Sequence, residues 1–249
     1  MSNCYRNFAD IYDRLMFQDI PYSRWVDYIE NLFIHHGVDP QLVCELACGT
    51  GNMTIPLAKR GYEMIGIDLS ADMLSAARGK AVAENLDILF LNQDMTKLDL
   101  YGTVDAVLCM IDGINYVLTP ASLFAMFKKI KTCFLNPGGI VIFDVSTEDK
   151  LAKTIGSNTF IYDADNIFYA WENRYFPSRR ISDMMLHFFV KEKNGRYRRF
   201  IERHIQRGYR QSELTAILKK AGFSKVNVYD ELRFTPPVSK SQRIVFTAQ

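Results

Sequence analysis

Apolar side chains recur at helical spacing in two stretches near the start of the chain. The first stretch places on one face Phe8, Ile11, Tyr12 and Leu15. The second places on one face Trp25, Ile29, Leu32, Phe33 and His36. Pro21 lies between the two stretches, and Gly37 suits a helix C-terminus. The pattern therefore predicts a pair of amphipathic helices over residues 1–38.

Between residues 40 and 150, short apolar runs alternate with helical patterns. The runs predict strands over 42–47, 62–67, 88–91 and 104–110, with a fifth after Pro137-Gly138-Gly139. Helices are predicted over 52–60, after the N-cap residue Ser70, and after Thr119-Pro120, which has the N-cap and N1 signature. This alternation is typical of an open α/β sheet with buried parallel strands.

The alternation of strands and helices stops between residues 157 and 210. Long strands are predicted over 167–176, 181–190 and 196–209, with turns at Pro177-Ser178 and Asn194-Gly195. We predict that they form an antiparallel insertion that covers the carboxyl edge of the main sheet as a substrate lid. Residues 211–249 then return to the core with one helix and two strands, over 225–230 and 242–248.

The turn after the first strand carries the first chemical signal. Gly49 and Gly51 let the backbone turn sharply and pass close to a ligand. One βαβ unit later, strand two ends at Asp68, whose carboxylate can bind the ribose diol of NAD or of S-adenosylmethionine (SAM). Thr54 stands where a dinucleotide fingerprint has its third glycine, and Glu45 would repel a pyrophosphate. The turn therefore favours a ligand that carries an ammonium or sulfonium group.

These segments, taken in order, resemble the class I SAM-dependent methyltransferases. The similar segments are 45–51 (ELACGTG, motif I), 66–70 (GIDLS, the second motif), 92–95 (NQDM, the adenine segment) and 135–144 (LNPGGIVIFD, the fifth strand). Residues 8–13 (FADIYD) and the C-terminal part resemble small bacterial members that methylate small molecules or have no assigned substrate. The resemblance implies an α/β Rossmann-like fold in one domain over 1–249. Its sheet would be seven-stranded and mainly parallel with an antiparallel last hairpin, and the antiparallel insertion would be added to it.

The resemblance also implies SAM as the cofactor, bound by the core over 40–150 beneath the N-terminal helices. The residues then expected to bind it are Tyr12, Trp25, Glu45, Ala47, Gly49, Gly51, Asp68, Leu69, Asp94, Met95 and Met110. Asp94 would meet the adenine amino group, and an aromatic face from Tyr12, Tyr22 or Trp25 would meet the sulfonium. Ordinary helix packing is the alternative interpretation of these aromatic residues, and a strand-end turn is that of Asp94.

Substrate-side candidates fall after strand four and in the insertion. They are Asp112, Asn115, Tyr116, Trp171, His204 and Gln206. Ligands of open α/β sheets bind beyond the carboxyl ends of the strands, which places residues 111–118 near the reacting methyl group. Tyr116 and His204 are the catalytic candidates, although a base helps only an acceptor that stays protonated. The competing structural roles are a helix cap for Asp112, local backbone bonding for Asn115 and Tyr116, sheet packing for Trp171 and a structural strand position for His204.

Composition agrees with a globular enzyme. The chain has 249 residues, 48% hydrophobic and 23% charged, with a net charge of +2 that indicates neither nucleic acid nor membrane. No apolar run approaches a membrane span of ~20 residues, and residues 1–6 lack a signal-peptide core. The five cysteines include no CxxC, so we expect reduced thiols in a cytoplasmic protein and no metal site at Cys44 and Cys48.

Three other functions remain as hypotheses. The insertion is basic and could bind RNA through Lys191, Lys193, Arg196, Arg198, Arg199, Arg203, Arg207 and Arg210. One alternative is that these basic side chains only form a solvated strand face. Another is that they bind an acidic small molecule. A non-catalytic SAM-binding protein and an NAD-dependent oxidoreductase complete the alternatives. The favoured prediction is a methyltransferase that acts on a small molecule, as a monomer or homodimer.

Overall fold

A computed structural model describes residues 9–164 and 166–249. The helices are α1 (Ala9–Asp19), α2 (Tyr22–His36), α3 (Thr54–Lys59), α4 (Ala71–Ala83), α5 (Pro120–Lys129) and α6 (Gln211–Ala221). The strands are β1 (Leu42–Leu46), β2 (Glu63–Asp68), β3 (Leu89–Asn92), β4 (Val104–Cys109), β5 (Leu135–Ser146), β6 (Thr159–Ala164), β7 (Ile167–Phe176), β8 (Ile181–Lys191), β9 (Tyr197–Arg207), β10 (Val226–Asp230) and β11 (Arg243–Ala248). Cys4 and Phe8 of the sequence predictions lie outside the described residues.

The main sheet has seven strands in the order β10-β11-β5-β4-β1-β2-β3. Strands β1 to β5 pair in parallel, whereas β11 is antiparallel to both β5 and β10. This topology confirms the predicted Rossmann-like fold with an antiparallel last hairpin. The strand order reverses between β1 and β4, and ligands of open α/β sheets bind at such a switch point.

Successive side chains of the central strands pack in two hydrophobic cores, one on each face of the sheet. Val43 of β1 packs with α2 and α3 on one face, while its neighbour Cys44 packs with α5 and α6 on the other.

Helix caps fix where two of the helices begin. The Ser70 hydroxyl accepts a hydrogen bond from the Met73 amide, and that of Thr119 accepts one from the Ser122 amide. Sequence periodicity thus places both helices against a sheet that is buried on both sides.

The insertion is a second, antiparallel sheet in the order β6-β7-β8-β9. Three of its strands were predicted, and β6 is an addition, paired with β7 from Thr159–Glu172 to Ala164–Ile167. One face of the sheet packs on α1 and α4 through Ile11, Met73, Ile167 and Phe188. The insertion is therefore in contact with the N-terminal helix and with the helix that follows β2.

Four cysteines fall within the described residues. Cys44, Cys48 and Cys109 are buried free thiols, and Cys133 is an exposed one. Burial raises the pKa of the Cys44 thiol to about 12, so this thiol stays protonated. No helix in the described ranges combines the length and apolar character that crossing a membrane requires.

Candidate functional site

A cavity of about 590 Å³ opens at the carboxyl ends of β1, β2 and β4. Its volume suits one drug-sized ligand, for which pockets run to roughly 300–1,000 Å³. Its walls come from the β1–α3 loop, the β2–α4 turn, the segments after β3 and β4, the N-terminal helices and β9. The predicted residues on the wall are Tyr12, Glu45, Ala47, Gly49, Asp68, Leu69, Asp94, Met95, Met110 and Tyr116.

The β1–α3 loop turns through left-handed backbone conformations at Ala47 (φ 54°), Gly49 (φ 55°) and Gly51 (φ 79°). A Cβ at Gly49 would meet no protein atom within 4 Å, so this glycine leaves open space on the wall. A Cβ at Gly51 would instead lie 3.2 Å from Ile55, which shows that Gly51 packs on α3. Gly51 is buried and is not among the described residues of the cavity wall.

Asp68 joins the two turns that form the floor of the cavity. Its carboxylate accepts hydrogen bonds of 2.8 Å from the Gly49 amide and 2.8 Å from the Ser70 amide. Burial raises the pKa of Asp68, while these backbone bonds act in the opposite direction. One side chain thus sets the relative position of the glycine loop and the N-terminus of α4.

Glu45 is an almost fully buried carboxyl group on the cavity wall, 3% exposed, and it accepts a hydrogen bond from the Thr54 hydroxyl. Burial raises the pKa of Glu45 to about 8; the Thr54 bond lowers this pKa, and the charge of Asp68 raises it further. Near neutral pH the group therefore holds a proton. A cation beside it would favour its ionised form.

The segment after β3 supplies Asp94 and Met95. One Asp94 oxygen accepts bonds from the Thr96 amide (2.9 Å) and the Thr96 hydroxyl (2.7 Å), which caps the short 3₁₀ turn Met95–Lys97. The other oxygen has no hydrogen-bond partner within residues 9–164 and 166–249. Gln93, which belongs to the adenine segment 92–95 but was not named as a binding residue, also lines the cavity, and its side-chain amide forms hydrogen bonds with the Asp99 backbone.

Helix α1 and the start of α2 cover one side of the cavity. Tyr12 and Tyr22 line it and are hydrogen-bonded to each other. Burial raises the pKa of Tyr12 well above its ordinary value and that of Tyr22 to about 12, so both phenols stay protonated. Trp25 is 0% exposed within the core beneath them and is not among the described wall residues.

Asp13 fastens α1 to the glycine loop. Its carboxylate accepts hydrogen bonds from Thr50 (2.5 Å), Asn52 (2.8 Å) and Lys80 (2.7 Å). Lys80 also donates to the Asn52 side chain at 2.7 Å. Three separate elements, namely α1, the β1–α3 loop and α4, are therefore joined at one carboxylate.

The turn after β4 is strained and is held by charge. Ile111 (φ 55°) and Asp112 (φ 54°) both have left-handed backbones, and both amides donate to the Asp144 carboxylate. A non-glycine residue in this conformation costs roughly 1–2 kcal/mol. Arg243, 5% exposed, pairs with Asp144 and with Asp112, the latter at 2.7 Å. The ion cluster thus stabilises a backbone shape that these residues disfavour.

Three substrate-side candidates take part in this framework rather than in the cavity wall. Asp112 also accepts a hydrogen bond of 2.8 Å from Gln206. Burial acts to raise the pKa of Asp112, but the charge of Arg243 outweighs it and holds that pKa below the ordinary value. Asn115 is buried and bonds the Ser146 backbone (3.0 and 2.9 Å) and the Arg207 carbonyl (2.8 Å). These contacts fasten the turn after β4 to β5, β9 and β11.

Tyr116 lies on the wall, and its hydroxyl is 3.0 Å from Nδ1 of His204 on β9. His204 is 6% exposed, and burial lowers its pKa to about 4, with Asp112 acting weakly in the other direction. The imidazole is therefore neutral at physiological pH. Trp171 lies elsewhere, half-buried against Leu151, Ile155 and Met184.

Several wall residues were not named individually as site candidates in the sequence, although some lie within its motifs or within residues 111–118. They are Thr50, Asn52, Met53, Ser70, Met73, Thr96, Ile111, Gly113, Val117, Leu118, Thr119, Ser122 and Ile205. Ser70 could have been found, since it directly follows Asp68-Leu69 in the second motif. Thr119 and Ser122 belong to the N-cap signature of α5, which points to a helix start rather than to a ligand.

Three of the eight basic residues named in the insertion form ion pairs with acidic side chains of the part of the chain that the structure describes. Arg203 pairs with Asp183 (2.7 Å), and Arg210 pairs with Glu148 (2.9 Å). Arg207 pairs with Glu213 at 3.1 Å. These pairs support the solvated-face interpretation of the basic stretch.

Known proteins resemble the whole chain. A family described as "Methyltransferase domain" matches residues 43–139. The Bacillus subtilis (strain 168) protein YqeM, named as a methyltransferase, is 38% identical over 247 residues, which cover 98% of this chain and 96% of that protein. A Geobacillus sp. (strain WCH70) protein, also named as a methyltransferase, is 30% identical over 246 residues, with coverage of 98% and 99%.

A solved structure is similar over nearly the full length. It is the crystal structure of an S-adenosylmethionine-dependent methyltransferase from Clostridium acetobutylicum ATCC 824. The TM-score is 0.90 at 32% identity, and the match covers 99% of each chain. The likeness includes the insertion and the N-terminal helices as well as the parallel sheet.

Proposed function

The chain belongs to the SAM-dependent methyltransferase family, and on that premise we propose that it methylates a small-molecule acceptor by in-line displacement. SAM is the cofactor. A cavity of about 590 Å³ supports a small acceptor, because SAM itself is a drug-sized ligand and leaves limited room beside it. The cover supplied by α1 and by β9 supports the same conclusion, because a large acceptor needs an open surface.

The residues of the wall fit SAM. Open space at Gly49 suits a ligand that approaches the backbone closely. Asp68 would accept hydrogen bonds from the ribose hydroxyls, and the second oxygen of Asp94 would accept one from the adenine amino group. Glu45 would face the positively charged part of the ligand and lose its proton there. We assign no cofactor contact to Trp25 or Gly51, which lie behind the wall.

When bound, SAM supplies an electrophilic methyl carbon. The chain's own contribution is to hold the acceptor in line and to exclude water, which together can lower a barrier by roughly 7–11 kcal/mol. Tyr12, Tyr22 and Tyr116 provide an aromatic wall for this purpose. A protein nucleophile is not required. His204 has a pKa of about 4 and is too weak a base to remove a proton from a hydroxyl group efficiently.

The observation that carries the proposal is Asp68, which ties the glycine loop to the next strand's turn on the cavity wall. Asp68→Ala should weaken SAM binding by at least about 100-fold, since it removes ligand contacts and two backbone anchors. Isothermal titration calorimetry with SAM measures this, and Asp87→Ala, at an exposed loop position, is the matched control. Unchanged affinity in the Asp68 variant would contradict the site assignment. SAM binding without methyl transfer to any acceptor would leave only a SAM-binding protein.

A further inference from the structure

The outer face of the insertion is the face of the four-stranded sheet that points away from α1 and α4. Strand alternation places six apolar side chains on it, namely Ile161, Phe168, Ala170, Met185, Phe189 and Ile201. Ile161 is 69% exposed and Ile201 is 43% exposed. None of the six belongs to a hydrophobic cluster of the described residues. An exposed apolar face of this kind marks a surface of association.

Strand pairing arranges the side chains of this face in rows that run across the strands. In one row, Asp163 of β6 is next to Phe168 of β7, followed by Phe189 of β8 and Arg199 of β9. The ring centres of Phe168 and Phe189 are 6.0 Å apart, and the Arg199 guanidinium lies 5.8 Å from the centre of the Phe189 ring. The row therefore has an acid at one edge of the sheet, a base at the other edge and two aromatic rings between them.

The neighbouring row has a similar form. Ile161 of β6 is next to Ala170 of β7, followed by His187 of β8 and Ile201 of β9. The two isoleucines lie at opposite edges of the sheet and are the most exposed members of the row. Each row is therefore complementary to its own reversed copy, because an acid then meets a base, a phenylalanine meets a phenylalanine and an isoleucine meets an isoleucine.

A second copy of the chain supplies that reversal. A two-fold axis that runs along the strands, in the plane between two facing sheets, places β6 of one copy over β9 of the other and β7 over β8. Sheets stacked with aligned strands are a common packing arrangement. Four strands spaced roughly 4.8 Å apart and about 30 Å long present on the order of 600 Å² per copy. Two copies then bury roughly 1,200 Å², the lower bound of the usual size of specific interfaces.

We propose that two copies of the chain associate face to face through the outer face of the insertion, with Asp163 of each copy paired with Arg199 of the other. The charges of the face favour this partner. RNA, which the basic residues of β9 could also attract, would be repelled by Asp163 and Glu172 on the same face. A second copy instead places each of its own bases over an acid at both edges of the sheet.

Sedimentation velocity of the full chain over a range of concentrations tests the proposal. The wild type should sediment as a dimer. Arg199→Asp places two acids at each edge contact and should raise the dissociation constant of the dimer by at least about tenfold. Asp163→Arg should have the same effect, because it places two bases there. The variant with both substitutions should recover the dimer, because every edge contact again joins an acid and a base.

Recovery in the double variant can come only from contacts between copies. Asp163 and Arg199 lie on the two edge strands, with β7 and β8 between them, so they are roughly 14 Å apart within one chain. Arg196→Asp makes the same charge change in the turn between β8 and β9, outside the two rows, and should leave the dimer intact. Arg203→Ala should also leave it intact, since Arg203 lies outside these rows and pairs with Asp183 of its own chain.

A further variant tests the apolar row. Ile161→Glu places a charge in the interface twice, once from each copy, and should raise the dissociation constant by at least about 100-fold. Val82→Glu, at a 75% exposed position of α4, makes the same change away from the face and should have no effect. Circular dichroism should show that both variants are folded, because both side chains are exposed in the single chain.

Three results would overturn the proposal. One is a wild type that stays monomeric throughout the concentration range. Another is a dimer that both Ile161→Glu and Arg199→Asp leave intact, which would place the interface elsewhere. The third is salt-dependent binding of single-stranded RNA by a monomeric wild type that Arg199→Asp abolishes, which would assign the face to nucleic acid. These measurements do not involve SAM, so they test the association separately from the proposed function.

Discussion

The two ends of the cavity are built from partners at very different distances along the chain. At the end where we propose that SAM binds, called the cofactor end, Asp68 bonds Gly49 across 19 residues, and Asp94 bonds Thr96 across 2. At the end where we propose that the acceptor binds, called the acceptor end, Tyr116 meets His204 across 88 residues, and behind it Arg243 meets Asp112 across 131. The residues of a cofactor site can thus lie within short sequence motifs. The acceptor site instead depends on the closing strands and the insertion returning to the same edge.

The sharpest way to disturb the framework behind Tyr116 is to remove Arg243, the cation of the buried ion cluster. Arg243→Met leaves Asp112 and Asp144 buried without their partner, and loss of one member of a buried ion cluster costs about 3–5 kcal/mol. Urea unfolding should show this loss of stability. The loss should shrink as pH falls towards 4–5, because a carboxyl group without its cation takes up a proton.

Arg233→Met is the control for that experiment. Its pair with Asp230 is 3.6 Å long and 71% exposed on the arginine side, so the cost should stay below about 1 kcal/mol. Equal effects of the two substitutions would show that the Arg243 cluster does not stabilise the fold.

The cofactor end can be perturbed through pH. The pKa of Glu45 in the folded protein is about 8, above its unfolded value of about 4.3, so the stability that its bound proton supplies is lost as pH rises between these values. Glu45→Gln should therefore be more stable than the wild type at pH 8–9 by a few kcal/mol and similar to it near pH 5. Thermal unfolding without ligand, recorded over this pH range, measures the difference.

The same substitution should weaken SAM binding, which separates ligand binding from stability. In the wild type, binding of a cation next to Glu45 should release a proton below about pH 8. Calorimetry in buffers of different ionisation enthalpy detects that proton. Proton release that persists unchanged in Glu45→Gln would assign it to another group.

A smaller effect is expected where the cover meets the cofactor end. Asp13→Ala removes the acceptor of three hydrogen bonds and should reduce SAM affinity by roughly 1–2 kcal/mol, or about 5- to 30-fold. Asp19→Ala lies at an exposed position in the same helix and should leave affinity unchanged. Titration calorimetry with SAM compares the two.

The smallest effect belongs to the outer face of the insertion. Arg203→Ala breaks an exposed pair with Asp183 and should change the free energy of unfolding by less than about 1 kcal/mol. We also expect it to leave methyl transfer unchanged. A large loss of activity would show that this face takes part in substrate recognition and would reopen the RNA hypothesis.

Sequence reasoning succeeded for the sheet because its strands are short, apolar and bounded by helices. It missed β6, an edge strand in which Ile161 is 69% exposed, because such a strand has no burial pattern and is defined by pairing with β7. Trp25 shows a second limit. An aromatic residue on a helical stripe predicts a buried position, but the stripe does not say whether that position faces the cavity or the core.

At the acceptor end, the sequence indicated individual residues but not the contacts between them. Position after strand four indicated Tyr116, and strand periodicity indicated His204 and Gln206. Neither indicated Arg243, whose partners Asp112 and Asp144 lie 131 and 99 residues earlier in the chain. The strain at Ile111 and Asp112 was also hidden, since these residue types do not favour a left-handed backbone.

The three hydrogen bonds that the Asp13 carboxylate accepts have a consequence for turnover. Any movement of α1 away from the sheet must break its bonds to Thr50, Asn52 and Lys80 together, because all three converge on one carboxylate. Opening of this side is therefore cooperative, and one of the three contacts is ionic. Raising the salt concentration should weaken the attachment of α1 and speed the release of the demethylated cofactor and the binding of new SAM. It should do so without altering any group that touches the reacting atoms.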